Sequence, residues 1–165
     1  MKKTLTVICA LILTAFLTGC GEKKEEPAKN EIINPTAVTE IFSLTDAVHK
    51  AVPDAETLFP LNEEDLMDEL GIGSDLYSEF VFLQSNNGMD GREILVIRAK
   101  NESASDEIRK AAESYLQRRR DEARNYAPEA YELLTAAKVQ VKGKTVALIV
   151  GADADAETNA LLAGE

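Results

Sequence analysis

Hydrophobic positions recur along this chain with two different periods. Val38, Ile41, Leu44 or Thr45, Val48 and Val52 stand three or four residues apart, the spacing of one helical face. Asn34-Pro35 ahead of them has the residue types of an N-cap and a first-turn proline, so the pattern predicts a helix from there to Pro53. A shorter helix is expected from Asn62, with Glu63, Glu64 and Asp65 in the first turn where the helix dipole favours acids. Leu66, Met67 and Leu70 form its apolar face and Gly71 its stop. The period then changes. "EFVFLQ" at 79–84 and "EILVIRA" at 93–99 are rich in β-branched and aromatic residues, and the turn-forming "SNNGMDGR" at 85–92 joins them as a hairpin with a long loop.

Helical spacing returns from Asn101 to about Tyr126, with Ala104, Ile108, Ala111, Ala112, Tyr115, Ala123 and Tyr126 on one side. Pro128 interrupts it and starts a short helix through Leu134. "KVQVKGKTVALIV" at 138–150 is a second hairpin turning at Lys142-Gly143, and "DADAETNALLAG" is a short C-terminal helix. Strands paired through short turns predict an α+β fold: a largely antiparallel four-stranded sheet built from two hairpins, with helices packed on one face.

The front of the chain has a different character. Met1-Lys2-Lys3 is basic, and Thr4 to Phe16 is an apolar run of about 13 residues, where a membrane-spanning helix needs roughly 20. A basic start, a short apolar run and small residues behind it read as a secretory signal over 1–19. Leu17-Thr18-Gly19-Cys20 resembles the lipobox of bacterial lipoproteins, and its position directly after the apolar run makes the match specific. That resemblance implies cleavage before Cys20, a diacylglycerol thioether on its sulfur and, often, acylation of the new amino group. Gly21 stands where, in Gram-negative lipoproteins, an aspartate signals inner-membrane retention. Cys9 leaves with the signal, so Cys20 remains without a disulfide partner. Two acyl chains, at about 0.8 kcal/mol per buried CH2, anchor a protein stably where one exchanges. "GEKKEEPAKNE" after Cys20 has no apolar side chain larger than alanine, so residues 20–31 read as the lipidated cysteine and a flexible charged tether, and 32–165 as one domain.

Charge narrows the partners. The whole chain carries a net −11; without Lys2 and Lys3, 16 basic side chains face 29 acidic ones, a net −13. Nucleic acid needs a basic footprint for counterion release, and this chain lacks one. With no Trp and only nine Phe and Tyr residues, the core rests on Val, Ile, Leu and Ala.

From about Thr57 to Val150 the order of elements resembles domain-of-unknown-function family 4358, found in lipoproteins and surface proteins of Gram-positive, largely clostridial, bacteria. The stretches that carry it are "LFPLNEEDLMDELGIGSDLYSEFVFLQS", "EILVIRAKNESASDEIRKAAESYLQRR", "NYAPEAY" and "AKVQVKGKTVALIV". The resemblance implies no activity. Proteins of this kind often carry an arginine late in the long helix, where this chain has Arg118, Arg119 and Arg120.

Candidate chemistry is sparse. His49 is the only histidine, and Asp46 and Ser43, three residues apart along the same helix, do not make a triad with it. One histidine and one acylated cysteine leave only carboxylates for a metal. Asp153-Ala-Asp155 lacks the glycine and bidentate acid of a calcium loop and reads as a helix start. "GIGS" at 71–74 follows a helix, the opposite context from a dinucleotide loop. Glu113, Asp121 and Glu122 lie within helical reach of the arginine triplet, which reads as an ion-pair face or a docking patch. The 85–92 loop reads as a bland polar connection or a binding loop.

The sequence therefore leads to a lipid-anchored domain on the outer face of the cytoplasmic membrane. The expectation is a non-catalytic binding or interaction module for an envelope protein or small ligand, without cofactor, with Cys20 as its one assigned site residue. The alternative is a cell-envelope hydrolase using carboxylates from distant segments.

Overall fold

The computed structural model describes residues 43–165. In chain order these form α1 (Leu44–Ala51), a 3-10 turn (Ala55–Thr57), β1 (Phe59–Pro60), α2 (Glu63–Leu70), β2 (Tyr77–Gln84), β3 (Glu93–Ala99), α3 (Glu102–Ala123), α4 (Pro128–Ala136), β4 (Val139–Lys142), β5 (Thr145–Val150) and α5 (Ala154–Ala163). The signal over 1–19, Cys20, the tether and the expected domain start at residue 32 lie outside the described residues. No helix among those described is long and apolar enough to cross a membrane.

The fold is α+β, as the sequence predicts, but the antiparallel sheet has five strands, in the order β1-β2-β3-β5-β4. The strand missed from sequence is β1, two residues long. It pairs Phe59 with Gln84 and Pro60 with Leu83. Proline cannot donate to a ladder and is tolerated at a sheet edge, where β1 sits, so neither length nor propensity marks it.

A larger correction concerns the layers: helices cover both faces of the sheet. Phe82, Leu95, Ile97, Val146, Leu148 and Val150 face a core closed by α2, α3 and α4. Their neighbours Val81, Leu83, Ile94, Val96, Ala147 and Ile149 face a second core closed by α1, the 3-10 turn and α5. The sequence did carry a sign of this. "ILVI" in β3 and "VALIV" in β5 are unbroken apolar runs, the mark of strands buried on both faces, whereas a sheet with one wet face alternates.

Local corrections have local causes. Ser43 is extended (φ −60°, ψ 150°) and its hydroxyl accepts the Asp46 N–H at 3.1 Å, so α1 starts at Leu44 rather than running unbroken from Asn34-Pro35, which lies outside the described residues. In α2 the Asn62–Asp65 capping box and left-handed Gly71 match expectation, but only Leu66 is fully buried and Met67 is 47% exposed. Tyr126 is 80% exposed because α3 ends at Ala123 and helical spacing no longer directs its side chain. The second hairpin turns one residue later than expected, at Gly143-Lys144, since Lys142 pairs with Thr145 and Gly143 takes φ +58°.

One ionic clip holds the second helical layer. Arg98 on β3 reaches Glu79 at 2.8 Å and Glu165 at 2.6 Å. The other Glu79 oxygen accepts the first N–H of α1, from Leu44, at 2.6 Å, and Glu165 accepts the Thr145 hydroxyl at 2.7 Å. Thus α1 and the end of the chain are both tied to one guanidinium. Burial pushes the Glu165 carboxyl up, but the Arg98 and Thr145 hydrogen bonds and nearby positive charge outweigh it and hold it below the usual range.

Candidate functional site

The arginine triplet, read from sequence as an ion-pair face or a docking patch, divides: Arg118 and Arg119 both approach Glu122, at 3.7 and 3.9 Å, but the three side chains otherwise meet different partners. Successive helical residues point about 100° apart, so three in a row address three surroundings. Arg118 leaves α3 to bind α2, meeting the Glu69 carbonyl at 2.8 Å and carboxylate at 2.5 Å, and lies over the Tyr115 ring. Arg120 donates to the Leu134 and Ala137 carbonyls, both at 2.8 Å, satisfying acceptors left open at the end of α4. Arg119 turns toward the sheet. Its nearest acids are Glu93 at 3.7 Å and Glu122 at 3.9 Å, both longer than a hydrogen bond. Its Nε is buried without a hydrogen-bond partner among the described residues.

Glu93, the first residue of β3, is wholly buried. It points the same way as Leu95 and Ile97, into the core under α3, because strand side chains alternate. One of its oxygens accepts the Tyr115 hydroxyl at 2.7 Å and the Gln84 amide at 3.0 Å, and the other has no partner among the described residues. Burial raises the Glu93 carboxyl above its ordinary value, opposed by the Tyr115 and Gln84 hydrogen bonds and by the Arg119 charge. Burial, and then the Glu93 charge, push the Tyr115 phenol up as well. Sequence reading did not single out Glu93. The available signal was an acid at the start of a strand whose next four residues are all apolar.

This placement sets a pH dependence. The folded state binds the Glu93 proton more tightly than the unfolded state, so folding is favoured by protons and this contribution is lost as pH rises. Stability should fall between the ordinary value of 4.5 and the raised folded value. Glu93→Gln keeps the hydrogen-bonding shape, and its denaturation midpoint should lack that decline. A wild-type stability that instead rises steadily across this window, with the variant unchanged, would contradict the assignment.

The 85–92 loop lies beside Arg119, and it is held by its own hydrogen bonds. Ser85 Oγ donates to Asp90 at 2.5 Å, and Asn87 accepts the Met89 N–H at 3.1 Å. Asp90 accepts the Arg92 N–H at 2.9 Å. Gly91, at φ +68°, lies so close to α4 that a Cβ there would sit 2.7 Å from that of Ala130. Between loop, α3 and α4 is a cavity of about 190 Å3, whose wall includes Met89, Arg119, Glu122 and Ala130. Two separate features of the sequence, the late arginines and the long polar loop, thus meet at one place.

Other candidates stay apart. His49 is exposed on α1, and while Ser43 and Asp46 do bond, at 2.8 Å, they bond to each other as a helix cap. Asp155 faces Lys138 at 3.7 Å. Asp153 lines a second cavity, of about 290 Å3, with Asp54, Arg92 and Glu157. There Arg92 pairs with Asp54 at 2.7 Å, and burial, then the Asp54 and Asp153 charges, raise the Glu157 carboxyl. A mostly apolar groove of about 390 Å3 runs between α1 and the β1 edge. Among the described residues, no group of three or more His, Cys, Asp and Glu is placed to hold a metal ion.

A family model described as a domain of unknown function (DUF4358) matches residues 52–151. The span contains Gln84, Glu93, Tyr115, Arg119 and the whole 85–92 loop, and excludes Glu165 and all of α1 and α5. No curated protein and no solved structure matches the chain.

Proposed function

The chain belongs to the DUF4358 family, a domain of unknown function, and from that premise we propose that it is a lipid-anchored extracytoplasmic module that binds a partner or small ligand at the cell envelope. The lipobox, with Cys20 as the acylated residue, and the charged tether support the location, on the outer face of the cytoplasmic membrane. One observation carries the binding role. Arg118 and Arg120 are committed to α2 and α4, whereas Arg119 is held between two acids without a close hydrogen bond and faces a cavity under an ordered polar loop. Loops fixed on a rigid sheet are where recognition concentrates.

Two measurements test this. Mass spectrometry of the mature N-terminus should find an acylated Cys20, and Cys20→Ser should shift the protein from the detergent phase to the aqueous phase. An unmodified N-terminus at a later residue ends the anchoring claim. Crosslinking from intact membranes should capture a discrete partner or ligand, and Arg119→Gln should lose it.

The hydrolase reading has one observation in its favour: the Glu157 carboxyl, raised by burial and by Asp54 and Asp153, shares a cavity with one acid from a distant segment, Asp54. Unlike carboxylates placed together are how acid and base roles divide. Turnover of a cell-wall substrate by the full chain, abolished by Glu157→Gln in a folded protein, would replace the binding reading.

A further inference from the structure

Resting on that reading of the cavity, we infer that the pocket between the 85–92 loop, α3 and α4 takes a carboxylate borne on a small apolar body, with Arg119 as the group that binds it. Arg119 is the only cation among the lining residues. Its guanidinium is a planar fork that matches a carboxylate in two parallel hydrogen bonds. The two terminal nitrogens make no hydrogen bond among the described residues, the Glu122 contact at 3.9 Å being ionic but too long for one, whereas the buried Nε lies 3.7 Å from Glu93. Glu122 is over half exposed and shared with Arg118 at 3.7 Å, so an entering anion displaces it toward solvent while it keeps a cationic neighbour.

Charge and size narrow the ligand further. One cation backed by a buried acid neutralises a single negative charge, whereas a phosphate dianion would face Glu93 and Glu122 with half its charge unmatched. Ala123, Ala127, Ala130 and Leu134 make an apolar wall behind the guanidinium. A volume of about 190 Å3 is below the several hundred Å3 typical of drug-sized ligands, so it suits a terminal group or a very small acid. The shared chemistry is a carboxylate on a short aliphatic stem, whether a free acid or the C-terminus of a peptide.

Glu93 sets the strength of this binding from behind. The groups facing it are Tyr115 and Arg119 from α3, Gln84 from β2 and the charge of Glu69 from α2. Protonated, it leaves the Arg119 charge to the ligand; ionised, it competes. Carboxylate binding should therefore tighten as pH is lowered through the Glu93 titration, while the ligand itself stays ionised.

Calorimetric titration of the full chain in detergent tests the assignment, with butyrate, N-acetyl-Ala-Ala, its C-terminal amide and inorganic phosphate as probes. The acids should bind with Kd on the order of 1 mM, and the amide at least tenfold more weakly. Arg119→Gln should lose at least tenfold in affinity for the acids, Arg119→Lys should lose less, and Glu93→Gln should gain several-fold at neutral pH. If Arg119→Gln does not fold, Glu122→Gln replaces it and should bind the acids more tightly. A peptide acid that binds tenfold better than butyrate identifies a peptide C-terminus as the source, and equal binding identifies a free acid. Equal affinity for acid and amide, tighter binding of phosphate, or indifference to Arg119 or Glu122 overturns the inference. Membrane capture lost in Arg119→Gln despite absent carboxylate binding would overturn the ligand class alone; absent capture as well would overturn the binding role.

Discussion

Ile94→Ala and Ile97→Ala will each lower the free energy of unfolding by about 2–5 kcal/mol, although the two side chains point to opposite faces of the sheet. Ile97 lies in the core under α3, Ile94 in the core under α1 and α5, and both are at most 1% exposed. Each truncation removes buried methyl groups and leaves a cavity that packed neighbours only partly fill. Urea denaturation of the full chain reads the effect as a lower midpoint at an unchanged slope. The pair is diagnostic because a sheet covered on one face would make one of the two substitutions cheap. A loss below about 1 kcal/mol at Ile94, with the full loss at Ile97, would mean that α1 and α5 do not seal the second face.

Gly91→Ala will cost about 2–5 kcal/mol, combining a left-handed backbone that L-residues disfavour by about 1–2 kcal/mol with an overpacking contact. The added Cβ would meet the Ala130 Cβ at 2.7 Å and its Cα at 2.9 Å, and a main-chain atom of a packed helix cannot swing aside. Gly143→Ala is the control. Its φ is +58° but nothing lies within 4 Å of the added Cβ, so only the backbone part, about 1–2 kcal/mol, should appear. The difference between the two, measured by denaturation, isolates the loop–helix contact that forms the cavity wall. Equal losses at both positions would mean that the loop rides free of α4.

Much of the secondary structure was legible because it follows from local rules. Asn62 and Gly71 bound α2, Asn101 caps α3 through the Ala104 N–H, and Pro128 starts α4. Strand β1 was not legible, because two residues at a sheet edge are a strand only by virtue of pairing with β2. Of the candidate site, the late arginines and the 85–92 loop stood out by composition. Their roles did not, since Arg118, Arg119 and Arg120 are alike in sequence and differ only in what each meets: Glu69, the cavity, and the carbonyls at the end of α4. Glu93 escaped notice because a charge at a strand start is ordinarily exposed, and the partners that make its burial tolerable, Gln84 and Tyr115, come from elsewhere in the chain.

By itself the sequence determined the helices, the two hairpins and the α+β class, because caps, breakers and hydrophobic period act within a few residues of the chain. Its front end also carried the expectation of a lipid anchor at Cys20. Only the tertiary structure decided that the sheet is covered on both faces, that a carboxyl lies buried behind Arg119, and that the loop closes against α4. Each of these depends on which distant surfaces meet and exclude water, and burial, unlike helical period, is a property of the packed chain rather than of any segment in it.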